Sequence, residues 1–139
     1  MVVAVRNSLH EVYPATPEAV PAVRVQVAEF AADAGAAPDT VESVRLAVSE
    51  AFTNAVLHAY RGRSGDVQVT AAVTGNELWV LVSDTGCGHQ TPAVNPGLGW
   101  GLALIAQATE DFLIAERAAG GTEVRMRFPL SGGRSTSAA

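Results

Sequence analysis

Lysine is missing from this chain of 139 residues; all nine of its basic residues are arginines. The absence removes three chemistries at once: the lysine of a phosphate-binding loop, the Schiff-base lysine, and the serine–lysine catalytic pair. Cysteine is nearly missing too. Cys87 stands alone, so no internal disulfide can form, and the count fits a reducing cytosol. No apolar run approaches the roughly 18 residues of a membrane span. The opening MVVAVRNSLHEVYP has too short a hydrophobic region for a secretory signal and no small-residue cleavage site. A soluble, cytoplasmic protein is the expectation. Charge is also sparse, 17% of residues with a net of −5, which argues against nucleic acid or an anionic membrane as a direct partner.

What is present is a hydrophobic fraction of 48%, enough for one core in a chain of this length. Leu9 to Ala15 partly alternates and reads as a short strand. Thr16-Pro17-Glu18 is a helix start, with Thr16 as N-cap and Pro17 at the first helical position. That helix carries Val20, Val23, Val27, Phe30 and Ala31 on one face and should stop near Gly35. A second helix starts at Pro38-Asp39 and runs to about Tyr60, followed by a turn over Arg61 to Gly65. Val67 to Thr74 and Glu77 to Ser83 read as strands joined by Gly75-Asn76, a tight hairpin signal. Asp84 to Gly101 is a glycine-bearing loop, Leu102 to about Thr109 a helix, and Phe112 to Arg117 and Thr122 to Leu130 a last strand pair. The expected fold is α+β, a two-layer α/β sandwich with helices on one face of a mainly antiparallel sheet. One domain should span residues 8–130, with a small, polar, disordered tail over 131–139.

Ser49 to Tyr60, SEAFTNAVLHAY, sets Glu50, Asn54 and His58 four residues apart, one stripe at 3.6 residues per turn. An isolated pair of this kind is ordinarily the polar edge of an amphipathic helix. Here Val48, Ala51, Phe52, Ala55 and Val56 leave little polar face, which favours a pocket lining. The Asn54 amide oxygen suits Mg²⁺, and the Glu50 carboxylate one turn away suits taking a proton from a hydroxyl. His58 is more simply a structural donor. Asp84, at a strand end before Gly86 and Gly88, either makes an ordinary turn or accepts the exocyclic amine of adenine. Cys87 between those glycines reads as a small filler, since no cationic neighbour activates it. Gly97, Gly99 and Gly101 precede the helix opening at Leu102, where backbone amides and the helix terminus favour phosphate. The Thr122 hydroxyl after Gly121 touches the nucleotide or satisfies a turn. No arginine lies between Asp84 and Gly101, so triphosphate charge falls to Mg²⁺, amides and an arginine from elsewhere.

Taken in order, Glu50-x-x-x-Asn54, Asp84-x-Gly86-x-Gly88, Gly97-x-Gly99-x-Gly101 and Gly121-Thr122 resemble the N, G1, G2 and G3 boxes of the Bergerat-fold (GHKL) ATPases. Within them, SEAFTNAVLHAY is similar to the anti-sigma-factor serine kinases. The resemblance implies that ATP binds with Mg²⁺ on Asn54, that Glu50 is the base, and that Asp84 recognises adenine. It implies that the glycine boxes hold base and phosphates. The implied partners are an RNA polymerase sigma factor and an anti-sigma-factor antagonist phosphorylated on serine or threonine. Arg24 matches an arginine used for partner contact, Thr53 matches a residue at the mouth of the nucleotide site, and a homodimer is a further expectation. The chain departs from the family at the lid between Gly88 and Gly97, which is short and lacks a basic residue near its end. That departure motivates an alternative, a non-catalytic interaction module with weak or absent nucleotide binding.

Overall fold

The computed structural model describes residues 7–59, 64–86, 109, 111–116 and 120–130. Its elements run β1 (Ser8–Pro14), α1 (Val20–Asp33), α2 (Pro38–Asn54), β2 (Asp66–Thr74), β3 (Glu77–Asp84), β4 (Asp111–Glu116) and β5 (Thr122–Pro129). A 3-10 turn over Pro17–Ala19 leads into α1, and a π-helical turn over Ala55–Ala59 continues α2. No helix among the described residues is long and apolar enough to cross a membrane.

Local chemistry sets the helix ends. Thr16 is extended and Pro17 follows as first residue of the 3-10 turn, but the threonine side chain makes no cap bond. Thr16 therefore caps that turn through its backbone, its carbonyl accepting the Ala19 N–H at 3.1 Å, and the α-helix proper begins at Val20. At the far end Gly35 has φ of +99°, the left-handed conformation that favours glycine. The Ala36 N–H donates to Ala31 O and the Gly35 N–H to Ala32 O, both at 3.0 Å, the paired closure of a Schellman stop. Pro38 then opens α2 at a position where its missing N–H costs nothing.

The described strands form one sheet of order β1-β2-β3-β5-β4, antiparallel at every pairing. Alternation decides its inner face: Leu9 and Tyr13, Val67, Val69 and Ala71, Leu78, Val80 and Val82, and Met126 and Phe128 are all buried. They share one core with Val23, Val27, Phe30 and Ala31 of α1 and Val44, Ala47, Val48, Ala51 and Phe52 of α2. The fold is thus α+β, with α1 and α2 on one face of the sheet. Phe52, fully buried, meets Tyr13 edge-on at 5.9 Å and 87°. The Tyr13 hydroxyl donates to Gln26 Oε1 and so ties β1 to α1. Burial, and after it the nearby Glu11 carboxylate, raises the Tyr13 phenol above its ordinary value.

The expected turn at 61–63, the glycine loop beyond Gly86, the helix from Leu102 and the tail 131–139 lie outside the described residues.

Candidate functional site

The buried stripe of α2 is Val44, Ala47, Val48, Ala51 and Phe52. Glu50, Thr53 and Asn54 lie beside that stripe and are half-buried, on the flank and not within the core itself. Helical geometry puts Glu50 and Asn54 on successive turns, as the i, i+4 spacing requires. From Ala55 the helix widens to i→i+5 bonding, and such π turns recur beside functional positions. The His58 side chain lies outside the described residues.

Glu50 also faces α1. Together with Arg24, Glu42, Arg45, Leu46 and Ser49 it lines a polar cleft of about 320 Å³. The cleft thus joins Arg24 to Glu50 across the two helices. Arg45 Nη2 lies 3.4 Å from Glu42 Oε2, and the Ser49 hydroxyl donates back to the Arg45 carbonyl at 2.7 Å. Arg45 and Ser49 drew no attention in the sequence. Ser49 lies one turn from Arg45, but Glu50 is about 140° round the helix from Arg45, so spacing alone does not join them and only the cleft shows that they share a lining.

The second cluster forms at the inner end of β3. Asp84 is buried at 6% exposure, and its Oδ1 accepts the Gly86 N–H at 3.0 Å and the Thr122 N–H at 3.3 Å. The β3–β5 register, with Ser83 opposite Glu123, brings together residues 38 apart in sequence. Gly121 closes the contact. Its φ is +98°, and a Cβ there would stand 2.0 Å from the Asp84 carbonyl oxygen and 2.6 Å from Thr85 Cα. Two backbones can approach so closely only over glycine. A buried carboxylate held by two amides is an oriented acceptor, suited to an amino group on a planar base.

The donors fit Mg²⁺. Asn54 and Glu50 offer hard oxygens from one helix flank, the donor chemistry that Mg²⁺ takes. An ion that keeps most of its waters and bridges phosphates needs few protein ligands. Gly88, Gly97, Gly99, Gly101 and Leu102 lie outside the described residues.

A sequence profile described as the histidine kinase-like ATPase domain matches residues 13–128. The chain belongs to that family. It is 38% identical over 87 residues to the serine-protein kinase RsbW of Bacillus licheniformis, a match covering 62% of this chain and 54% of that protein. With the anti-sigma F factor of Clostridium kluyveri it shares 40% identity over 65 residues, 47% of this chain and 46% of that protein. The chain spans about half the length of these curated relatives. In three dimensions it is similar to the solved RsbU and RsbW domains of a Mycobacterium tuberculosis protein. That superposition has a TM-score of 0.70 at 31% identity, covering 88% of this chain and 32% of the other.

Proposed function

We propose that this domain is an ATP-dependent serine/threonine protein kinase and anti-sigma factor. It phosphorylates an anti-sigma-factor antagonist and in another state binds a sigma factor. The observation that most supports the reading is the Asp84 node, where a buried carboxylate, Gly86, Gly121 and Thr122 meet at one end of the sheet. Similarity to proteins named serine-protein kinase and anti-sigma F factor supports it independently. The functional domain is residues 8–130, acting in the cytoplasm without direct contact to nucleic acid or membrane, as a homodimer.

In this reading Asp84 accepts the adenine amino group, and Gly86, Gly88 and Thr122 line the base. Gly97, Gly99, Gly101 and Leu102 present amides to the phosphates. Asn54 holds Mg²⁺, which supplies neutralisation of phosphate charge. Glu50 takes the proton from the acceptor hydroxyl as that oxygen bonds to the transferred phosphorus, and ADP leaves. Arg24 and Thr53 contact the partner at the mouth of the site.

The test is incubation with Mg-ATP and candidate antagonists, followed by phosphoamino-acid analysis. Phosphoserine or phosphothreonine should form, and Glu50→Gln should slow its formation about 100-fold with the fold intact. Calorimetry that finds no Mg-dependent binding at millimolar ATP would sink the reading and leave a non-catalytic interaction module.

A further inference from the structure

Tyr13 of β1 reaches both helices from the sheet below them. Its hydroxyl donates to Gln26 Oε1 on α1, and its ring stands edge-on to Phe52 on α2. The side chain is itself held in place, buried in the core on a strand paired with β2 at every residue from Ser8 to Pro14. Phe52 is fully buried and equally fixed, and Thr53 and Asn54 follow it directly.

The attachment of α1 is less directional. Its buried stripe, Val23, Val27, Phe30 and Ala31, is apolar, and such contacts resist separation without fixing orientation. Among the described residues, the Tyr13–Gln26 bond is the one side-chain hydrogen bond that joins α1 to another element. At roughly 100° per residue, Arg24 and Gln26 fall on opposite flanks of the stripe, about 160° apart across it. A roll of α1 that lifts Gln26 off Tyr13 therefore drives Arg24 the other way, in toward α2. Arg24 lines the α1 wall of the cleft, and Glu50 lines the α2 wall.

We infer that Tyr13 is a positioning residue: holding α1 through Gln26 and α2 through Phe52, it sets the place of Arg24 relative to Glu50. The inference rests on the kinase reading, in which Arg24 contacts the partner and Glu50 takes the acceptor proton. It adds to that reading a residue that acts through the packing of the two helices and has no part in the chemistry itself.

The probe is the antagonist protein that the wild-type chain phosphorylates with Mg-ATP. Tyr13→Phe keeps the ring against Phe52 and removes the bond to Gln26. The KM for the antagonist should rise about fivefold, while the KM for ATP stays unchanged. Gln26→Leu, which removes the acceptor, should raise it to the same extent, and the double variant should raise it no further. In an Arg24→Ala background Tyr13→Phe should change nothing, because the side chain it positions is gone. A tyrosine with a structural role alone would lower the melting temperature and leave the antagonist KM at its wild-type value. That result overturns the inference, and so does a fivefold rise that persists in the Arg24→Ala background. If Tyr13→Phe fails to fold, as judged by circular dichroism, the exposed-site variant Gln26→Leu decides in both backgrounds. A wild-type chain that phosphorylates antagonist while the variants match it disproves only this inference. A wild-type chain that phosphorylates none removes the kinase reading, and this inference falls with it.

Discussion

The two halves of the candidate site are built by different physics. Glu50, Thr53 and Asn54 sit on one helix, and their spacing follows from its pitch alone. Asp84, Gly86, Gly121 and Thr122 come from two chain segments joined through strand register and a backbone contact that admits no Cβ. The first half projects half-buried side chains from a scaffold already secured by Phe52 and Val48. The second is itself part of the scaffold. Substitutions on the helix flank should therefore change chemistry with little change in stability, and substitutions at the strand end should change both.

The sharpest way to break that contrast is Gly121→Val. The added carbons meet the Asp84 backbone, and the residue must hold a positive φ, so a loss of about 4 kcal/mol or more is expected in denaturant unfolding. A melting curve matching wild type would show that the strand end is not structural. Next comes Glu50→Gln, for which phosphotransfer should fall about 100-fold, equivalent to about 2.7 kcal/mol of barrier, with an unchanged thermal midpoint. A midpoint that drops in parallel would place Glu50 with the scaffold. Asp84→Asn keeps the shape but weakens both amide bonds, and should cost about 1–2 kcal/mol of stability. ATP affinity, read by calorimetry, should fall as well; retained affinity would remove Asp84 from base recognition.

The smallest effect concerns Tyr13, away from both halves. Its folded value lies above 10.0, so the folded state holds its proton more tightly than the unfolded state does. The stabilisation is complete below the unfolded value and disappears as pH rises through the folded one. Stability should decline above about pH 10, and Tyr13→Phe should flatten that decline. With no lysine in the chain, few other groups titrate there. An identical alkaline profile for the variant would count against the burial of the phenol.

How much of this was legible in the sequence depends on how local each cause is. Pro38, Gly35 and the Gly75-Asn76 hairpin mark their boundaries because each acts through its own backbone, and β2 and β3 fall within a residue or so of expectation. Thr16 misled on the start of α1, because the first turn is 3-10 and its cap is a carbonyl and not a hydroxyl. Nothing in Ala55 to Ala59 announces a π turn; the same residues would serve an α-helix equally well. Glu50, Asn54 and Asp84 stand out as polar residues at patterned positions. The strand order β1-β2-β3-β5-β4 and the meeting of Asp84 with Thr122 arise from long-range register, to which no local motif points. Arg45 was invisible for the same reason: its place beside Arg24 and Glu50 in one cleft comes from the meeting of two helices.

The Thr122 amide proton rests on the Asp84 carboxylate across the gap between two distant stretches of chain. Its exchange with heavy water is consequently a label-free gauge of how often those stretches part. A nucleotide that settles against Asp84 would slow that clock, and one that binds elsewhere would leave it running at its native pace.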